Sequence, residues 1–171
     1  MRTAARMFLV SILLIGCVGC DQATKGVARA YLVPGETQSF LHDTFRLIYT
    51  ENSGAFLSLG AALSDQVRST IFVIGVGLLS LGALTAALFA RNLSRWQIIA
   101  LSMIGSGGVG NWIDRLAYDG RVTDFLNVGI GSFRTGIFNV ADMVLMAGAA
   151  LFFLASSRRA ASNSDNHVNY K

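Results

Sequence analysis

Of the chain's 171 residues, 53% are hydrophobic, only 14% are charged, and one is a proline. With a mean hydropathy of +0.51, this composition excludes an ordinary soluble domain and points to a small integral membrane protein. The net charge of +4 would suggest nucleic acid in a soluble protein; here the basic residues flank apolar stretches, so no nucleic-acid partner is implied.

Four segments approach the roughly 20 apolar residues of a spanning helix. The first runs from about Met7 to Lys25 and holds both cysteines, Cys17 and Cys20. A CxxC inside an apolar helix, with no partner pair, reads as two small core residues rather than a metal or redox motif. Asp21 and Lys25 are spaced i, i+4 and share a helix face, as an anchoring ion pair would. A segment of mixed charge follows, about 26–66. In it Phe45, Leu47 and Tyr49 alternate with Arg46, Ile48 and Thr50; Glu51-Asn52-Ser53-Gly54 is a turn signal, and Ala55 to Leu59 resumes an apolar run. The pattern predicts a strand, a turn and a second strand in a small sheet.

The second span, about Val67 to Ala90, has no charge between Arg68 and Arg91. The third, about Trp96 to Trp112, is short, and Gly105, Gly107, Gly108 and Gly110 crowd its later half. Small residues there allow close helix packing or leave room for a substrate backbone. Asp114 and Arg115 follow it, and a second mixed segment, about 113–136, carries Asp124. The fourth span, about Ile137 to Ser156, is interrupted only by Asp142. That residue lies five positions in, about 7–8 Å along a helix at 1.5 Å per residue. Residues 1–159 then form one domain, and 160–171, rich in Ser and Asn, predict a disordered tail.

Basic residues orient the spans. Arg2 and Arg6 precede the first, Arg91 and Arg95 separate the second and third, and Arg158 and Arg159 follow the fourth. Both termini are therefore expected in the cytoplasm, with 26–66 and 113–136 outside, the periplasmic side in a Gram-negative cell. Asp21, Lys25, Asp114, Arg115, Asp124 and Asp142 all gather at that outer face.

Carboxylates beside hydrocarbon are costly and usually line a pocket or a path. Other chemistries find little support: the histidines, His42 and His167, lie in a loop and the tail, and no HExxH or His/Cys cluster has metal spacing. Neither a metal nor an organic cofactor is implied. Two carboxyls held close cannot both ionise easily, so one keeps a proton. The ionised one can take a proton from water while the other protonates a carbonyl, which is what peptide hydrolysis needs. A proton relay would use similar residues.

Five motifs, in order, resemble those of the lipoprotein signal peptidases, the bacterial type II signal peptidases. Asp21-Gln22-Ala23-Thr24-Lys25 resembles DQxxK, and Asn52-Ser53-Gly54-Ala55-Phe56 resembles NxGAF. The run from Gly107 to Arg115 resembles GGxxGNxxDR. Gly120 to Phe125 resembles GxVxDF, and Phe138 to Asp142 resembles FNxAD. The resemblance implies an aspartic endopeptidase that cuts prolipoproteins on the amino side of a diacylglyceryl-modified cysteine. It implies four transmembrane helices with a small outward-facing antiparallel sheet, in the cytoplasmic (inner) membrane, probed by globomycin-type inhibitors and working among membrane lipids, with one chain able to hold the whole site as a monomer. By matching of motifs, Asp124 and Asp142 are the catalytic dyad. Asp21, Lys25, Asn52, Gly54, Asn111, Asp114, Arg115 and Asn139 form the supporting and substrate-binding shell.

Three other readings compete. A small transporter or proton-relay subunit would need ionisable stepping stones in the inner halves of the spans, which carry none. A scaffold would use the acidic cluster only to anchor helices. Finally, Leu14-Ile15-Gly16-Cys17 has the form of a lipobox behind an arginine-bearing start, as though the chain were itself a substrate; cleavage there would remove most of the first span.

Overall fold

The computed structural model describes residues 2–54 and 64–168. The elements in order are α1 (Thr3–Tyr31), β1 (Thr37–Phe40), β2 (Phe45–Asn52), α2 (Asp65–Phe89), α3 (Arg95–Ala117), β3 (Val122–Ile130), β4 (Phe133–Arg134) and α4 (Val140–Val168). The chain is an α-helical integral membrane protein: four long helices with one four-stranded antiparallel sheet, ordered β1-β2-β3-β4. Every strand is threaded between helix ends, so the sheet sits at one end of the bundle.

Local chemistry sets the helix limits. α1 continues six residues beyond the expected Lys25, because nothing breaks it before Pro34-Gly35; a proline biases the residue before it toward extended backbone. Its basic and acidic groups need not leave the bundle, for they are paired inside it. Ser64 starts α2 by accepting the Val67 N–H. α3 opens with a capping box: Ser94 Oγ accepts the Gln97 N–H, and Gln97 Oε1 accepts the Ser94 N–H. It closes in a left-handed turn, with Asp119 at φ 50° and Gly120 at φ 81°.

α4 begins at Val140 rather than near Ile137. Phe138 is still strand-like: its N–H donates to Leu126 O, and its carbonyl accepts from Phe125 and Leu126. Asp142 therefore stands in the first turn of α4, not 7–8 Å down a helix. The other end of α4 also departs from expectation. The helix runs to Val168, so 160–168 are helical where a disordered tail was expected; no glycine or proline interrupts 149–168. Residues 169–171, and the expected second strand Ala55 to Leu59, lie outside the described residues.

By length and composition, α1, Thr70–Phe89 of α2 and Val140–Arg158 of α4 are apolar enough to cross a membrane. α3 is less apolar because it packs against all three others. Apart from Ile98, its buried residues are small or polar, among them Ser102, Ser106, Asn111 and Asp114. The four glycines of α3 are explained by this packing. A Cβ on Gly105 would meet Leu84, and one on Gly108 would meet Ser80, both on α2. On Gly107 it would stand 2.5 Å from the Ala141 carbonyl of α4, and on Gly110 2.6 Å from Asp21 Oδ2 of α1.

At the end away from the sheet, Val10, Ala87 and Ile98 form an apolar core. Arg6 Nε donates to the Ala87 carbonyl at 2.6 Å, closing the C-terminus of α2. Arg6 and Val10, both before Cys17, are thus packed into the bundle.

Candidate active site

The sheet-side end of the bundle holds a cluster of buried polar side chains built on α1, α3, β3 and α4. At its centre is Lys25, fully buried on α1. Its Nζ reaches Asp21 Oδ2 at 2.9 Å, Asp114 Oδ2 at 3.2 Å and Asn111 Oδ1 at 2.9 Å. All three ammonium protons are used, which is what a cation removed from water requires. The expected Asp21–Lys25 pair is therefore one edge of a larger arrangement.

Each of the two bracing carboxylates grips the backbone of a neighbouring element. Asp21 Oδ1 accepts the Ala141 N–H at 2.9 Å, the residue before Asp142. Asp114 Oδ2 accepts the Thr123 N–H at 3.0 Å, the residue before Asp124. Asp114 Oδ1 also accepts from Gln22 Nε2 at 3.1 Å. Its oxygens are taken up by structural partners, and it is fully buried.

Asp124 and Asp142 come together from β3 and α4 around the Asn139 amide. Asn139 Nδ2 donates to Asp124 Oδ1 at 2.6 Å and to Asn111 Oδ1 at 3.0 Å. Asn139 Oδ1 accepts the Asp142 N–H at 3.0 Å, and Asp142 Oδ2 accepts the Asn139 N–H at 3.1 Å. This reciprocal pair is a capping box that starts α4, so the spacing Asn139-x-x-Asp142 builds a helix end and places a carboxylate in one stroke. Asn111 Nδ2 donates to Asp142 Oδ1 at 2.8 Å.

Asn52 Nδ2 donates to Asp124 Oδ2 at 2.9 Å, while its Oδ1 accepts the Gly54 N–H at 2.9 Å. That turn explains the glycine: Gly54 has φ +91°, and a Cβ there would lie 2.7 Å from the Phe72 ring. Arg115 lies with its guanidinium 5.8 Å from the Phe72 ring centre, and Nη1 donates to the Asn111 carbonyl at 3.2 Å. Its buried Nε has no hydrogen-bond partner among the described residues.

The two acidic groups of the proposed dyad are not equivalent. Asp124 is buried, and burial pushes its carboxyl up from 3.8 to about 6. The Asn52 amide opposes that shift by bonding the charged form, the nearby Asp142 charge adds to it, and Asn139 and Lys25 also oppose it. Asp142 is half-buried in the first turn of α4. Such a pair can divide acid and base roles. Among the described residues no group of His, Cys, Asp and Glu is arranged to hold a metal ion.

The structure thus brings all ten residues singled out in the sequence to this end of the bundle. Three others take part. Gln22 also donates to the Gly110 carbonyl at 3.0 Å. Arg29 Nη1 donates to Thr123 Oγ1 at 2.8 Å and lies 4.7 Å from the Tyr118 ring centre. The repeat of charge at 21, 25 and 29, every fourth residue on one helix face, was the signal for Arg29. Thr123 enters through its backbone N–H, which side-chain chemistry does not reveal.

The family described as signal peptidase (SPase) II matches residues 13–158. A lipoprotein signal peptidase of Desulforapulum autotrophicum is 34% identical over 153 residues, covering 88% of this chain and 91% of the relative. One from Streptococcus pyogenes serotype M6 is 35% identical over 155 residues, covering 87% and 91%. A solved bacterial membrane enzyme, obtained by the in meso method, superposes with a TM-score of 0.74 at 25% identity, covering 85% of this chain and 90% of its own. A second shares the fold with a TM-score of 0.76 at 24% identity, covering 90% of each chain. On its sequence and its fold, the chain belongs to the signal peptidase II family of membrane peptidases.

Proposed function

We propose that the chain is an aspartic endopeptidase that removes signal peptides from prolipoproteins, cutting on the amino side of a diacylglyceryl-cysteine. The observation that carries this reading is the meeting of Asp124 and Asp142 around one asparagine amide, in unlike surroundings, at the end of a membrane bundle. In the reaction Asp142, as carboxylate, takes a proton from a water that attacks the scissile carbonyl carbon. Asp124, as acid, donates its proton to the carbonyl oxygen. The tetrahedral diol then collapses: Asp124 recovers its proton, the C–N bond breaks, and Asp142 gives its proton to the departing amine. Asn52, Asn111 and Asn139 hold the two carboxyls, and Arg115 is placed to bind substrate backbone.

The arrangement suits a substrate tethered by a signal helix and two acyl chains, since its scissile bond is presented at the membrane surface. In this reading both termini are cytoplasmic, the site faces outward from the cytoplasmic membrane, one chain suffices, and globomycin-type peptides occupy the groove. The test is cleavage of a diacylglyceryl-modified prolipoprotein by purified protein. Asp124→Asn and Asp142→Asn, each still folded, are expected to lose about a hundredfold or more of the rate. Asp114→Asn should act through stability and dyad position instead. Full activity in both dyad variants would overturn the reading in favour of a scaffold.

A further inference from the structure

Asp124 is held by two neutral amides, Asn52 and Asn139, so where it stands depends on how β3 is fixed. Beyond Asp124 the strand is tied to the entry of α4: the Phe125 and Leu126 N–H groups donate to the Phe138 carbonyl at 3.0 and 2.8 Å. Before Asp124 the chain has just left α3 through a tight turn, with left-handed backbone at Asp119 and Gly120. The anchor on that side is Thr123, which is buried. Its N–H donates to Asp114 Oδ2 at 3.0 Å, and its hydroxyl accepts from Arg29 Nη1 at 2.8 Å. One bond ties the start of β3 to α3, the other to α1.

Arg29 is itself held from two sides. Its guanidinium lies 4.7 Å from the ring centre of Tyr118, the C-cap residue of α3, and Nη1 stands 3.8 Å from Asp114 Oδ1. A planar cation over an aromatic face and beside a buried carboxylate has little freedom to turn away. Successive side chains leave a strand on opposite faces, so Arg29 grips β3 from the side away from the Asp124 carboxyl. On α1 it stands one turn beyond Lys25 on the same helix face. The two cations divide their partners: Lys25 seats Asp114, and Arg29 seats the residue that precedes Asp124.

We propose that Arg29 is a positioning residue for the dyad: by clamping the Thr123 hydroxyl to α1, it fixes where β3 delivers Asp124. The inference rests on the peptidase reading above. Arg29 touches neither reacting carboxyl in this arrangement and acts through Thr123, so its removal loosens Asp124 against Asn52 and Asn139 and leaves the substrate's contacts in place.

The test is cleavage of a diacylglyceryl-modified prolipoprotein by the full chain in detergent, with kcat and KM measured separately and the thermal midpoint taken for each variant. Thr123→Val removes the hydroxyl but keeps the side-chain shape and the backbone N–H. Thr123→Val and Arg29→Met are each expected to lower kcat about fivefold or more, with KM changed by less than about twofold. Thr123→Ser, which keeps the hydroxyl, should recover most of the loss seen in Thr123→Val. The double variant should be no slower than the slower single variant, within about twofold, because both substitutions remove the same contact. If Arg29→Met does not fold, the contrast between Val and Ser at 123 still decides. Unchanged kcat in Thr123→Val, losses that multiply in the double variant, or a raised KM at constant kcat would each overturn the positioning role. Unmodified protein that leaves the substrate uncut, or Asp124→Asn and Asp142→Asn variants that still cut it, would overturn the peptidase reading and this inference with it.

Discussion

Asp124 shows how one position can be tuned without a charged partner in contact. Its bonds come from two neutral amides, Asn52 and Asn139, and burial, the largest influence, holds its carboxyl at about 6 rather than 3.8. As the acid of the proposed reaction, Asp124 must be protonated, so cleavage is expected to fall as pH rises through about 6. Removing an amide that favours the ionised form raises the value further. Asn52→Ala should therefore move the falling limb of the pH–rate profile to higher pH, as well as lowering the maximal rate. An unmoved limb would remove Asp124 from the acid role. The same shift has a sign for stability. A carboxyl raised on folding contributes most below its unfolded value and loses that contribution as pH rises through about 6. Asp124→Asn should thus narrow the difference in melting temperature between pH 5 and pH 8, measured in detergent.

At the scale of elements, α1, α3, β3 and α4 meet through Lys25. Withdrawing the cation alone leaves buried Asp21 with no charged partner and buried Asp114 with only the more distant Arg29, at 3.8 Å. Lys25→Met is expected to destabilise the bundle by about 3–5 kcal/mol, seen as lost protein or a lowered thermal midpoint in detergent. Adding Asp21→Asn and Asp114→Asn should recover part of that loss, because the stranded charges go with it; no recovery would mean Lys25 acts through packing. Much of this was legible in the residues. The i, i+4 pair at 21 and 25 and the carboxyl at 142 stand out against hydrocarbon. What could not be read were bonds made by backbone groups, the Thr123 and Ala141 N–H above all, because main-chain donors look alike in every sequence. The start of α4 was placed early for a similar reason: Ile137 and Phe138 are apolar enough to continue a span, yet their backbone is engaged with β3. The strand at 45–50 was visible in its alternation, whereas its partners were not: exposed β1 (Thr37–Phe40) just before it shows no apolar alternation, and β3 (Val122–Ile130) lies far along the chain.

For the molecule as a whole, α3 decides the topology. Alone of the four helices it has no stretch long and apolar enough to cross a membrane by itself; it is covered by the other three and reads as a span only in their company. If it crosses, both termini share one side; if it does not, they part. Reporter fusions after Arg91 and after Arg158 are expected to be cytoplasmic, and one within 118–120 to be outside. A cytoplasmic signal from the last would refute four crossings. The brace around Lys25 also bears on how the protein is made. Chains emerge from the ribosome N-terminus first, so α1 with its lysine is synthesised early and the Asn139–Asp142 box last. Until α4 arrives, Asp21 has no Ala141 N–H to hold, Asn111 has no Asp142, and Asp124 lacks its partner acid. A half-made chain has therefore not yet brought Asp124 and Asp142 together, and on the proposed mechanism it cuts nothing until its final helix is in place.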